Sequence, residues 1–254
     1  MPRVSVVMSV YNEEEYIGEA IDSILQQTFG DFEFVIIDDG SVDRTPMVLE
    51  RYHDPRMRVY HQANQGQSSA LNQAIRLSSG CYIARMDGDD ISLPKRLERE
   101  VRFLDAHPEI GLVGTWCVKV DARTGQRRVQ SLPEKDGAIR RFLTVDNPFI
   151  HSSVMIRNAV LDTVGLYDER FIWQDYDLWV RIARHHRMAN IPEPLIIRRK
   201  HPTSITCTAR KSREFWELFK IQWKAARQMG LRCEGVAAMT KSLAKVVGHG
   251  IHGS

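Results

Sequence analysis

The sequence predicts an α/β protein, a mostly parallel central sheet flanked by helices with a helical tail. Two observations carry that reading. Over the first 90 residues, β-rich apolar runs alternate with helix-like stripes and are joined by short polar links. That order argues for parallel strands with right-handed crossovers. After "NIPEPLIIRRKH" the chain becomes helical and basic to its end.

The elements follow in order. "VSVVMSV" (4–10) is a continuous apolar run of the kind that suits a strand covered on both faces. "NEEEYIGEAIDSILQQ" places Tyr16, Ile17, Ala20, Ile21, Ile24 and Leu25 on one helical stripe, with Asn12 as cap and Glu15 three residues on for the reciprocal bond. "FEFVII" (32–37) is a second buried strand, and "TPMVLERYH" a short helix with Pro46 near its start. "RMRVYHQ" (56–62) reads as a third strand, "SSALNQAIRLSS" (68–79) as a helix and "CYIARM" as a fourth strand. Beyond residue 100 the pattern loosens. "IGLVGTWCVKVD" (110–121) is a strand, "ARTGQR" a turn, "HSSVMIRNAVLDTVG" a strand then a helix, and "DYDLWVRIARHH" a helix with Tyr176, Trp179, Val180 and Ala183 inward.

Composition sets outer bounds. The chain has 254 residues, 43% hydrophobic and 26% charged, which fits one large globular domain with an appendage. No apolar run approaches the roughly 18–20 residues that a membrane span requires. The opening "MPRVSVVMSVYN" enters polar sequence without a small-residue cleavage site, so it is expected to be a mature strand in the cytosol. The four cysteines are far apart and form no CxxC pair, so reduced thiols are expected rather than zinc or disulfides. Net charge is +3, too small to imply nucleic acid, but residues 211–254 hold eight Lys/Arg against three Glu while the rest hold 27 against 29. A basic tail on a slightly acidic body suggests an anionic surface or partner, or a solvated helical face.

The chemistry gathers at strand ends. In an open α/β sheet, ligands bind beyond the carboxyl ends of the strands. Here the first strand ends in Ser9-Val10-Tyr11-Asn12, the second in "DDGS" with Asp38 and Asp39, and the fourth in "DGDD" (87–90). An acidic cluster of this kind is a Ca²⁺ loop, a Mg²⁺/Mn²⁺ site or a set of caps. The EF-hand pattern fails because Ile91 and Leu93 stand at ligand positions and position six is not Gly. No GxxxxGK[ST] or GxGxxG occurs. If phosphates bind, a divalent metal has to neutralise much of their charge, and Asp89 offers a hard oxygen ligand.

"SVVMSVYNEEEYIGEAIDSILQQTF", "FEFVIIDDGSVDRT", "NQGQSSALNQAI", "ARMDGDD" and "WQDYDLWVRIA" together resemble the family 2 glycosyltransferases, which have the nucleotide-sugar-binding GT-A fold. The resemblance covers roughly residues 3–205, with five motifs in the family's order. It implies a catalytic domain over 1–210, with a nucleotide-binding half (1–100) and an acceptor-binding half (101–210), followed by a basic amphipathic tail (211–254). Ser9, Val10 and Tyr11 would line the nucleotide pocket, with Asn64, Gln67, Asp87 and Gly88 also toward the donor. Asp39 would accept a hydrogen bond from the base, which favours uracil or thymine. Asp89 would hold Mn²⁺ or Mg²⁺, with His201 as a second ligand or a phosphate donor. Asp90 is expected to cap the turn before Pro94. Asp175 matches the family's acceptor-facing carboxylate, the catalytic base, with Asp177 supporting the helix. Gln174 stands where the family commonly has Glu. His151, Trp173 and Arg199 are expected to face the acceptor or the diphosphate.

The activity so implied is inverting transfer of one sugar from a nucleotide-diphosphate sugar to a glycan or lipid-linked acceptor, without nucleic acid. A non-catalytic nucleotide-sugar binder on the same fold is the rival reading. A haloacid-dehalogenase-type phosphatase also puts D-x-D after a strand, but it wants Thr or Val where Ile91 stands. In the tail, Phe215, Phe219 and Trp223 form an aromatic stripe beside Trp216, among basic residues. That stripe suits packing on the domain, a peripheral contact with the inner face of a membrane, or a homodimer contact.

Overall fold

The computed structural model describes residues 1–200 and 211–230. Nine strands form one sheet in the order β3-β2-β1-β4-β8-β6-β9-β5, with β7 paired to β6. β1 (Val4–Val10), β2 (Phe32–Asp38), β3 (Met57–His61) and β4 (Tyr82–Arg85) run parallel. Beyond β4 the sheet is mixed. β8 (Met155–Arg157) is antiparallel to both β4 and β6 (Ile110–Asp121), whereas β6 and β9 (Arg187–Lys200) are parallel. β7 (Arg127–Gln130) forms a hairpin with β6, and the two-residue β5 (Ile91–Ser92) pairs antiparallel with β9.

Each parallel strand is apolar throughout because both of its faces are covered. Val4, Val6, Met8 and Val10 of β1 join one core with α1 (Ile17–Leu25) and α4 (Arg96–Ala106). Val7 faces the other core, with Val35 and Ile37, α3 (Gln67–Arg76) and α7 (Gln174–His185). This second core also takes Val160 and Leu161 of α6 (Asn158–Val164), Ile139 of α5 (Asp136–Phe142), and Ile221 and Ala225 of α8 (Lys211–Gln228).

One local expectation is corrected, and two segments add to the sequence reading. Asn12 does not cap α1, which begins at Ile17. It adopts φ 55°, its Oδ1 accepts the Val42 N–H at 2.9 Å, and its own N–H donates to Ser41 Oγ. The Glu13 and Glu14 N–H groups go to Thr45 Oγ1 and Asp43 Oδ2 in the same way. These bonds lock the loop after β1 to the one before α2 (Thr45–Leu49) and spend the donors that a helix start would need.

The segment 187–200 is a strand. Pro192 and Pro194 hide this in the sequence because they cannot donate to a ladder, and the ladder shifts register there, between Thr115 and Cys117 of β6. Of the aromatic stripe of the tail, Trp223 and the adjacent Trp216 face outward and Phe219 is half-buried. Over residues 216–228 the face of α8 that packs on the domain carries Glu217, Ile221, Gln222, Ala225 and Ala226, while Trp216 and Trp223 are 58% and 51% exposed. No described helix is long and apolar enough to cross a membrane.

Candidate active site

The parallel strands β1, β2 and β4 bring three loops to one sheet edge. After β1, Ser9 is buried with an unpartnered Oγ, Val10 is buried and its carbonyl accepts the Asp39 N–H at 2.9 Å, and Tyr11 is exposed. After β2, Asp38 is consumed locally, accepting from Ser41 N and from His61 Nδ1 at 2.9 Å. Asp39 takes the Gln62 amide at 2.6 Å and the N–H groups of Gln65 and Gly66 at 2.9 and 2.8 Å. It therefore shapes the 62–66 loop, which carries the exposed Asn64. Gly40, at φ 76°, allows the close approach, since a Cβ there would meet Asn64 N at 2.8 Å. Gln67 opens α3, and its Oε1 accepts from the Gln174 amide at 2.8 Å, linking the two halves of the chain beside Asp175.

After β4 the acids converge. One carboxylate oxygen from each of Asp87, Asp89 and Asp90 lies within 4.8 Å of the others. Asp87 accepts from Arg85, whose side chain is buried. Burial pushes the Asp87 carboxyl up, but the charges of Arg85 and Arg198 and the bond from Arg85 outweigh it and hold the group below the usual carboxylate range. Asp90 does not cap the turn before Pro94. It is buried, accepting from Ser152 Oγ and from Arg199 N at 3.0 Å, so it ties β4 to β9. Burial, then the charges of Asp89 and Asp87, raise its carboxyl well above the ordinary range.

A Cβ at Gly88 would overlap the Glu13 carboxylate and lie 3.1 Å from Val10 Cγ1, so a side chain there requires Glu13 to move. Glu13 Oε2 is buried without a partner among the described residues, and burial followed by Asp89 and Asp87 raises that carboxyl strongly. Four carboxyl groups thus crowd one spot, and Asp87 has a bonded guanidinium. Hard oxygen donors in mutual repulsion fit a divalent cation such as Mg²⁺ or Mn²⁺, with Asp89 and its neighbours Asp87 and Asp90 as the residues that would hold it.

Asp175, in the first turn of α7, is near enough to Asp87 to feel its charge. Its carboxylate accepts from Asn147 Nδ2 at 2.7 Å. Burial raises its pKa, partly offset by the hydrogen bonds from the Tyr176 N–H and Asn147, and the Asp87 charge adds to the rise. Asp177 supports the helix as expected, bonded to Arg181 and Lys224 at 2.8 and 2.7 Å. Trp173 caps α7, and its indole Nε1 is buried without a partner among the described residues. His151, in a 3₁₀ turn, bonds Tyr167 Oη through Nε2 at 2.9 Å, and burial beside Arg85 lowers its pKa to about 3, so it is neutral.

Arg199 does not point where the sequence reading put it. Its guanidinium is bonded to Glu19 and lies 5.2 Å from the Tyr16 ring centre. Arg198 is the cation whose charge acts on Asp87, His151 and Asp175. Successive strand residues face opposite sides, and the two neighbouring arginines divide accordingly. His201 lies outside the described residues. Sequence reasoning also missed Glu13, Arg85, Asn147 and Ser152. Only Glu13 carried a signal, its place directly after the first strand's Tyr-Asn.

With that geometry in hand, comparison with known proteins is direct. Residues 5–165 match the family described as Glycosyl transferase family 2. The amylovoran biosynthesis glycosyltransferase AmsE of Erwinia amylovora is 34% identical over 198 residues, 76% of this chain and 74% of that one. The structure of S. aureus TarS 1–349 in complex with UDP-GlcNAc superposes with a TM-score of 0.73 at 22% identity, covering 89% of this chain and 66% of that one. The mannosyltransferase PcManGT of Pyrobaculum calidifontis, in complex with GDP-Man and Mn²⁺, superposes with a TM-score of 0.64 at 20% identity, covering 100% of this chain and 76% of that one. The structural likenesses establish the fold and the sequence matches the family: the chain belongs to the family 2 glycosyltransferases, on a GT-A fold.

Proposed function

We propose that the chain transfers a single sugar, with inversion and with Mn²⁺ or Mg²⁺, from a nucleotide-diphosphate sugar to a hydroxyl of a glycan or lipid-linked acceptor. The observation that supports this is the nearness of Asp175, a carboxylate bonded by Asn147 and raised in part by the Asp87 charge, to the acidic cluster at residues 87–90. In the reaction the acceptor oxygen attacks the anomeric carbon, the bond from that carbon to the diphosphate oxygen breaks, and the acceptor proton passes to the Asp175 carboxylate. A raised pKa makes that carboxylate, when ionised, a better base. One base and no enzyme nucleophile mean a single displacement and hence inversion. A divalent ion at Asp89 would supply charge stabilisation for the departing diphosphate.

Ser9, Val10, Tyr11, Asn64, Gln67, Asp87 and Gly88 form the donor cleft in this reading. Asp39 has one acceptor position left on Oδ2, enough for a base imide N–H, which uracil, thymine and guanine all offer. UDP or dTDP is favoured. The complexes of TarS with UDP-GlcNAc and of PcManGT with GDP-Man and Mn²⁺ support the donor class. In this reading neutral His151 and the Trp173 indole, whose Nε1 has no partner among the described residues, meet the acceptor or diphosphate. Trp216 and Trp223, outward on α8 among Lys220 and Arg227, support peripheral contact with an anionic membrane face.

Calorimetric titration with UDP, dTDP, GDP, ADP and CDP, each with Mn²⁺ and with chelator, tests the donor site. Manganese-dependent binding of UDP or dTDP is expected, and binding of none overturns the reading. Flotation of a Trp216→Ala/Trp223→Ala variant with anionic liposomes tests the membrane contact, which fails if the variant floats as the wild type does.

A further inference from the structure

The edge of the sheet next to this cleft carries an arrangement that the transfer reaction does not use. In the ladder, Lys119 of β6 pairs directly with Arg128 of β7 on one side and with Arg198 of β9 on the other. Directly paired residues share a face, so three cations stand abreast across three strands, two inter-strand steps or roughly 10 Å wide. Their face is fixed by Cys117, two residues earlier, which is buried in the core near Asp90. At its inner end Arg198 acts on Asp87 and Asp175. At its outer end Arg128 is exposed, and Lys119 between them is half-buried.

Like charges directly opposite one another destabilise a sheet. Among the described residues, Asp87, Asp175 and the exposed Asp146 offset the charges of this row without a direct ion pair. No described residue forms an ion pair or side-chain hydrogen bond with Arg128, Lys119 or Arg198. By contrast, Arg3, Arg56, Arg58, Arg85, Arg96, Arg140, Arg181 and Arg199 each hold a carboxylate. A row of cations without a bonded carboxylate, starting beside the proposed base and leading away from it, suits a multiply charged anion.

We propose that Arg198, Lys119 and Arg128 bind phosphate groups of the acceptor, so that the acceptor is a phosphate-bearing molecule whose hydroxyl reaches Asp175. The proposal rests on the glycosyltransferase reading for the placing of Asp175. Two guanidinium groups and an ammonium over this width suit a diphosphate or successive phosphodiesters better than one carboxylate. A lipid-linked diphosphate and a polyol phosphate polymer share this chemistry.

The test is calorimetric titration of the whole chain, with UDP and Mg²⁺ in excess to fill the donor cleft, using geranyl diphosphate, a glycerol phosphate oligomer, inorganic pyrophosphate and trigalacturonate. Wild type should bind one of the first two, more weakly as salt rises. Lys119→Ala and Arg128→Ala should each weaken that binding about tenfold. Arg127→Ala, the neighbour on the opposite face of β7, removes the same charge and should change nothing. Preference for geranyl diphosphate points to a lipid-linked acceptor and preference for the oligomer to a polymer. Equal losses in the Arg127 and Arg128 variants, no loss in either the Lys119 or the Arg128 variant, or trigalacturonate binding as tightly as the phosphates would overturn the proposal. So would pyrophosphate as the sole ligand. Failure of UDP to bind refutes the donor reading instead, and the phosphate titrations then stand on the variants alone. Thermal melting of the variants, expected at or above the wild-type midpoint, separates lost binding from lost fold.

Discussion

Replacing Asn147 with Ala isolates the tuning of the proposed base. Asn147 donates to Asp175 Oδ2 at 2.7 Å, and that bond favours the ionised carboxylate against burial, which raises its pKa. A hydrogen bond to a charged group is worth about 1.5–3 kcal/mol. At about 1.36 kcal/mol per pKa unit, its loss would raise the Asp175 pKa by one to two units. Asp175 is half-buried and water can replace part of the bond, so about one unit is expected. The base acts ionised, so the acid limb of the kcat–pH profile should move upward by about one unit. Turnover should then fall about tenfold below the limb and little above it. Release of nucleoside diphosphate from the donor that binds, followed from pH 4 to 9, reads this directly. Asp175→Asn in the same assay should lose about 10²- to 10⁴-fold at every pH while still binding nucleotide. An unmoved limb, a limb moved downward, or an active Asp175→Asn variant would refute the assignment of Asp175 as base.

Three further outcomes are expected. Asp89→Ala should abolish the manganese dependence of nucleotide binding, and the chelator should do the same to the wild type; calorimetry that shows undiminished manganese enhancement in the variant would contradict Asp89 as metal ligand. Gly88→Ala pushes a methyl group into the Glu13 carboxylate, an overpacking that costs about 1–3 kcal/mol. Nucleotide affinity should fall about tenfold and be partly restored by Glu13→Ala in the same chain, and failure of that rescue would show that Glu13 is not the obstacle. Glu100, fully buried against Arg96, is pushed by burial from 4.5 to about 7, so its contribution to stability is present below about pH 4.5 and lost as pH rises through 7. Unfolding free energy measured against Glu100→Gln should therefore drift by about 3 kcal/mol against the wild type between pH 4.5 and 8, and a flat difference would mean that Arg96 compensates the buried charge.

The first half of the fold was legible because its strands are covered on both faces and advertise themselves as unbroken apolar runs. Val4–Val10 and Phe32–Asp38 lie within a residue or two of where the runs placed them. β9 was not legible. Its prolines sit where the ladder slips against Trp116, so the residues that break the strand pattern mark an irregularity inside a strand. β7 was hidden for a different reason. "RRVQ" is almost wholly exposed and has no apolar face to declare.

The site divides along the same physical line. Residues that act from strand ends, such as Asp39, Asp87 and Asp89, can be picked out by their spacing from an apolar run. Residues that act on them from elsewhere cannot, because Asn147 meets Asp175 across 28 positions and Ser152 meets Asp90 across 62. The "DGDD" stretch shows why that matters. Asp87 and Asp90 stand three positions apart with identical side chains, yet Arg85 and Arg198 hold the first ionised, while the second is buried and raised. Were all the acids held ionised by guanidinium partners, a cation would gain little by binding there. Were all buried and protonated, none would offer a charged ligand. A cluster with one acid fixed ionised and others raised by burial and then by their neighbours' charge releases protons as a divalent ion arrives. Donor binding at this site should therefore weaken as pH falls, and calorimetry in buffers of differing ionisation enthalpy should register proton release on manganese addition. Binding without proton release would mean that the raised groups, Glu13 and Asp90, stay protonated and only shape the site around Asp87 and Asp89.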